Sequence, residues 1–162
     1  MIRAVLDTNL LVDIELRRIE RYAPIKHAAI SHKFVALTSL SIIQEFERAL
    51  ERDSRLIKLR QDRSVTINDL KREVLSYTQF AGGFDFFRRV LKEDPGDQHV
   101  VASALAGNAQ YIVTSNRAHF LTVGRLTQNR IKIISPEEFM DILESKFGGE
   151  KKGLRSEGNP AL

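Results

Sequence analysis

The sequence predicts a single α/β domain with a central parallel sheet of about four to five strands flanked by helices. Three observations predict it. Short apolar, β-prone runs at Ile2 to Leu6, Phe34 to Leu37, Tyr111 to Thr114 and Ile131 to Ile134 alternate with stretches of helical periodicity. Strands that alternate with helices become parallel neighbours joined by right-handed crossovers, which cover both faces of the sheet. At 162 residues the chain has the size of one domain. Its 43% hydrophobic and 28% charged content suffices for one packed core and is too apolar for a disordered chain.

The first strand ends at Asp7, Thr8 and Asn9, residue types frequent in turns and helix caps. Leu10, Leu11 and Ile14 then recur at helical spacing, and Tyr22 to Ile30 reads as a second short helix after the charged stretch Glu15 to Arg21. The second strand leads into a helix running to about Arg52, with Ser41 and Gln44 matching a capping box. Thr66 to Phe80 reads as a further helix, with Ile67, Leu70, Val74 and Leu75 on one side and Gly82-Gly83 closing it. Phe84 to Leu91 fits a short helix or an irregular strand equally, and Asp94-Pro95-Gly96-Asp97 is a turn. Val100 to Ala106 is a helix of small residues stopped by Gly107-Asn108. After the last strand, Ser135, Pro136 and Glu138 form a helix start, and the helix runs to about Phe147. The domain is therefore expected over residues 1–147. The tail Gly148 to Leu162 is rich in glycine and charge, lacks apolar periodicity and is expected to be mobile.

Composition removes several chemistries. Cysteine is absent, which excludes disulfides, thiol catalysis and thiolate-bound zinc, so any metal must use oxygen or imidazole ligands. The net charge of +4, from 25 basic and 21 acidic residues, suits a surface that tolerates polyanions. Arg3 and Asp7 interrupt the apolar start before an export signal could form, and the uncharged stretch Gln98 to Asn116 is too polar for bilayer hydrocarbon. A cytoplasmic protein with no membrane contact is expected.

In a parallel sheet the chemistry gathers at the carboxyl ends of the strands. Three acids fall there: Asp7 after the first strand, Glu45 early in the helix after the second, and Asp97 opening the helix before the third. Clustered carboxylates repel one another, and a divalent cation removes that penalty. Mg²⁺ and Mn²⁺ favour hard oxygen donors and serve in phosphodiester hydrolysis. Each acid also has a local reading. Asp7 and Asp97 both suit a helix start, where a carboxylate accepts from backbone amides. Glu45 and Glu47 flank the apolar stripe Ile42, Ile43, Phe46, Ala49 and Leu50 on opposite sides, so the helical wheel does not choose between them.

Four segments, in order, resemble the PIN-domain nucleases: Val5-Leu6-Asp7-Thr8-Asn9-Leu10-Leu11-Val12, Ser39-Leu40-Ser41-Ile42-Ile43-Gln44-Glu45-Phe46, Asp97-Gln98-His99-Val100-Val101-Ala102-Ser103-Ala104-Leu105-Ala106, and Tyr111-Ile112-Val113-Thr114-Ser115-Asn116. The resemblance implies a small PIN-like α/β domain whose acidic Mg²⁺ or Mn²⁺ site cleaves RNA, as in VapC-like toxins of toxin-antitoxin pairs. It carries the catalytic and metal-holding roles onto Asp7, Glu45 and Asp97, and prefers Glu45 to Glu47. It also matches Asn9 and Thr114 to supporting polar positions. Asn116 stands where many members have a fourth acid; its amide oxygen can ligate but brings no charge. An RNA substrate, an antitoxin protein and a homodimer are the partners implied.

Outside the acids, His99 and His119 are candidates for proton transfer or substrate contact, and Arg117 for a phosphate contact. The segment Arg48 to Arg63 carries six cationic side chains against three acids and is a candidate for phosphate contact, with Arg48 and Arg52 as candidate substrate-binding residues. It also fits a solvated helix face. Phe84, Phe86 and Phe87 could stack bases or pack in the core, and Asp94 could supplement the acids or serve its turn. The alternative to an enzyme is a catalytically weak PIN-like module that binds RNA or protein. A phosphoacceptor receiver or aspartyl phosphatase shares the fold type, but Asp7-Thr8-Asn9 lacks the second aspartate that such a phosphatase requires.

Overall fold

Five parallel strands form one sheet in a computed structural model that describes residues 1–81, 98–120 and 130–155. β1 (Ile2–Leu6), β2 (Phe34–Thr38), β3 (Thr78–Phe80), β4 (Tyr111–Val113) and β5 (Lys132–Ile134) lie in the order β3-β2-β1-β4-β5. The central strand β1 pairs with β2 from Ile2↔Phe34 to Val5↔Leu37 and with β4 from Ala4↔Tyr111 to Leu6↔Val113. Ala4, Val5 and Leu6 are wholly buried. An unbroken apolar run of this kind belongs in a parallel strand covered on both faces.

Helices supply the cover. α1 (Thr8–Val12) runs into a π-turn, Asp13–Arg17, and then α2 (Ile19–Ile30). α3 (Leu40–Arg52), α4 (Ser54–Arg63) and α5 (Ile67–Tyr77) join β2 to β3, and α6 (Gln98–Ala106) precedes β4. A 3₁₀ turn, Arg117–Phe120, follows β4, and α7 (Pro136–Arg155) follows β5. Phe34, Phe46, Phe120 and Phe139 anchor the core as large, fully buried side chains. Among the described residues no helix is long and apolar enough to cross a membrane.

Several local expectations change. The helix expected over Thr66 to Phe80 starts with a capping box between Thr66 and Asp69 but ends at Tyr77. At Thr78 the backbone turns extended and the hydroxyl donates to the Val74 carbonyl at 2.8 Å. Thr78–Phe80 then pair with Ala36–Thr38 as the edge strand. Hydrogen bonds to β2, absent from any local window, outweigh the helical periodicity. Asp53 divides Arg48 to Arg63 into two helices, its carboxylate accepting from the amides of Arg55 and Leu56. The last helix does not stop at Phe147 but continues through Gly148 and Gly149 to Arg155. Glycine inside a helix costs only about 1 kcal/mol against alanine, and no proline intervenes. The expectations for Gly82-Gly83, Phe84 to Leu91 and the 94–97 turn, and for residues 156–162 of the tail, lie outside the described residues.

The cap of α3 is Ser39, not Ser41. Ser39 is extended, and its hydroxyl accepts from the Ile42 amide at 3.2 Å, whereas Ser41 lies inside the helix. Ser39→Ala is therefore expected to lower stability by about 1 kcal/mol, read from the midpoint of urea unfolding, while Ser41→Ala changes it by a few tenths at most.

Candidate active site

Because all five strands are parallel, their carboxyl ends share one edge. The strand order switches direction between β1 and β4, since β1 leads to β2 on one side and β4 to β5 on the other. That switch opens the crevice in which α/β sheets gather ligands. Asp7 follows β1 there and extends the ladder, its amide donating to the Val113 carbonyl at 3.1 Å. One carboxylate oxygen, Oδ1, caps α1 by accepting from the Thr8 amide at 2.8 Å, and the other, Oδ2, accepts from the Thr114 hydroxyl at 2.8 Å. The capping reading of Asp7 is realised on one oxygen, and the other is held by a side chain at the end of β4. Thr114 is wholly buried after β4, and its hydroxyl also accepts from the Asn116 amide at 3.0 Å.

The packing of α1 against α3 brings the second acid in. Glu45 Oε2 accepts from the Thr8 hydroxyl at 2.9 Å and meets His99 Nε2, on α6, at 2.5 Å. Thr8 therefore ties the two acids together, its amide on Asp7 and its hydroxyl on Glu45. Glu47, on the other flank of α3, pairs with Lys71 at 3.2 Å. The structure thus separates the two glutamates that the wheel left equal. Glu45→Gln is expected to cut any cleavage activity at least about 100-fold. Glu47→Gln should leave activity intact and shift stability by under about 1 kcal/mol, as for a half-buried ion pair still open to solvent. Steady-state cleavage and thermal melts on both variants check the contrast.

The charges interact. Burial pushes the Asp7 carboxyl up, the Thr114 and Thr8 hydrogen bonds oppose this, and the nearby Glu45 carboxylate adds to the rise, leaving Asp7 above the usual aspartate range. Burial also raises Glu45, but the hydrogen bond and charge of His99, the Thr8 hydroxyl and Arg48 outweigh it and leave Glu45 lowered. Asp7, buried and raised, and Glu45 are hard-oxygen donors, a donor type that fits Mg²⁺ or Mn²⁺. Among the described residues no group of three or more His, Asp or Glu side chains is assembled to hold a metal ion. Asp97, which directly precedes α6 in the sequence, lies outside them, as do Asp94, Phe84, Phe86 and Phe87.

The remaining candidates separate. Asn9 is exposed on α1, and its carbonyl accepts from Arg17 at 3.5 Å. Arg117 is in an ion pair with Glu138. His119 falls in the 3₁₀ turn, its side chain outside the described residues. Arg48 and Arg52 are exposed on α3, whereas Arg60 is half-buried and donates to the Leu50 carbonyl at 3.1 Å. Two features were missed in the sequence. The bridging role of Thr8 had a signal, a hydroxyl beside the first acid at a helix start. The stretch from Glu15, read as a charged connection, instead begins with a buried Glu15 held by the Tyr77 hydroxyl at 2.8 Å and by Lys26 at 3.1 Å. Nothing local signalled that burial.

A family model described as PIN domain matches residues 3–118, a span that includes Asp7, Glu45, Asp97 and Asn116. No curated protein matches the chain significantly in sequence. Among solved structures, the chain is similar to one in a crystal structure of VapBC2 from Rickettsia felis bound to a DNA fragment from their promoter. The TM-score is 0.55 and the identity 14%, over 82% of this chain and 98% of that one. At that identity the likeness concerns the fold.

Proposed function

The chain belongs to the PIN-domain family, and from that premise we propose that it is a Mg²⁺- or Mn²⁺-dependent endoribonuclease, acting in the cytoplasm as the toxin of a toxin-antitoxin pair. The observation that carries the reading is the cluster at the β1/β4 crevice, where Thr8 and Thr114 hold Asp7 and where Thr8 and His99 hold Glu45. Asp7, Glu45 and Asp97 would hold the cation, with the Asn116 amide oxygen as a neutral supplement. A cation bound there would offset the carboxylate charge and supply Lewis-acid activation of a water for phosphodiester hydrolysis. The chain's own groups orient this set. Thr114 and the Thr8 amide fix the plane of the Asp7 carboxylate. The Thr8 hydroxyl turns Glu45 toward Asp7, and His99 Nε2 is placed to hold a proton against Glu45. The two-component VapBC2 complex supports an antitoxin as partner, and a homodimer is part of the same proposal.

A second reading, a PIN-like module that binds RNA or protein without cutting, is favoured by the neutral Asn116. The deciding experiment incubates the full chain with a mixed-sequence single-stranded oligoribonucleotide in Mg²⁺, in Mn²⁺ and in EDTA. The enzyme cleaves with either metal and stops in EDTA. Binding without cleavage under every metal condition assigns the module.

A further inference from the structure

We propose that Arg48 and Arg52 form a phosphate rail along α3, holding the backbone of the RNA strand that flanks the bond to be cut. The proposal deepens the ribonuclease reading and rests on it for the identity of the strand. Positions 45, 48 and 52 are spaced i, i+3 and i+7, so at 3.6 residues per turn they form one stripe. The rise of 1.5 Å per residue puts Arg52 about 10 Å along the axis from Glu45. Both arginines are exposed, and Arg48 lies about one turn along α3 from Glu45.

The opposite flank of α3 carries Glu47 and Glu51, with Glu47 paired to Lys71 of α5. Charge is thus segregated by flank: Glu47 turns to a neighbouring helix, and the basic side begins beside Glu45 and faces solvent. Among the described residues neither Arg48 nor Arg52 forms an ion pair. Like charges at i,i+4 weaken a helix, so this pairing works against the folding of α3. It complements a polyanion whose negative charges recur along its length. A single strand leaving the acidic cleft along α3 meets two guanidinium groups in succession. Arg55 at the start of α4 is exposed where the stripe ends, whereas Arg60 is committed to the Leu50 carbonyl and lies outside the rail.

The test is binding, separated from cleavage. Fluorescence anisotropy of a labelled single-stranded oligoribonucleotide is measured against the full chain in EDTA across a salt series, for the wild type, R48Q/R52Q and R48K/R52K. The glutamine pair is expected to weaken binding about tenfold and to flatten the slope of log K against log salt by about 1.4, two contacts at about 0.7 each. The lysine pair keeps the slope, and thermal melts establish that all three chains fold. Equal affinity and slope in the wild type and the glutamine pair overturn the rail, as does undetectable binding by the wild type. A loss of affinity for poly-glutamate but not for the oligoribonucleotide assigns the face to an acidic protein and also overturns it. A chain that binds with the expected slope yet never cleaves on added Mg²⁺ keeps the rail and loses the nuclease. A chain that cleaves while its RNA affinity ignores both arginines does the reverse.

Discussion

Asp7→Asn is expected to reduce metal-supported RNA cleavage about 1,000-fold or more while leaving the chain at least as stable as wild type at neutral pH. The kinetic part follows from removing a charged ligand: several kcal/mol of charge stabilisation, about a factor of ten in rate for each 1.4 kcal/mol, leave with it. The stability part follows from the local electrostatics. Burial raises the Asp7 carboxyl in the folded chain, with Glu45 contributing. A carboxyl whose folded titration lies above its unfolded one is destabilising when ionised, and that cost fades as pH falls through the raised titration. Asparagine has no such cost. Its amide oxygen can still accept from the Thr8 amide, and its amide hydrogens can meet the Thr114 hydroxyl, which accepts as well as donates. The margin of the variant over wild type should therefore be largest near neutrality and shrink on acidification, in melts run without metal. A variant that is inactive because it is unfolded would contradict this.

Phe139→Ala is expected to cost about 3–5 kcal/mol, a large share of the roughly 5–15 kcal/mol that stabilises a domain. Phe139 is fully buried in the first turn of α7 and meets Phe34 edge-on, with ring centroids 4.9 Å apart and planes at 82°. The Tyr111 ring lies 6.1 Å from that of Phe139, tilted at 57°. Phe34 and Tyr111 begin β2 and β4, so this aromatic group fastens α7 over the amino-terminal edge of the sheet, opposite the acids. The variant should unfold at much lower urea, yet cleave at the wild-type rate per folded molecule below its melting range. A loss under about 1 kcal/mol would mean that α7 does not pack on this edge.

What the sequence made legible follows physical range. The strands β1, β2, β4 and β5 announce themselves as apolar runs, most clearly β1 and β2, which are buried along nearly their whole length. The starts of α5 and α7 were legible, that of α7 from its local cap Ser135-Glu138. β3 was not, because its only warrant is pairing with β2, distant along the chain. In the site, Asp7 and Thr114 could be placed from the ends of their strands. The choice of Glu45 over Glu47 needed the resemblance, because it depends on how α3 turns against α1 and α5. His99 on Glu45 was one of two candidate histidines until α6 was placed. The buried Glu15 was illegible for a similar reason: its partners Lys26 and Tyr77 come from two other helices.

The central claim is that Asp7 and Glu45, with Asp97, share one divalent cation. Crystals of the full chain grown with Mn²⁺ and measured at the manganese absorption edge test it directly. The account predicts an anomalous peak in the crevice between β1 and β4, with oxygens of all three carboxylates at roughly 2.0–2.6 Å. A map with no peak there, or with manganese held elsewhere while Glu45 stays on His99, would contradict it.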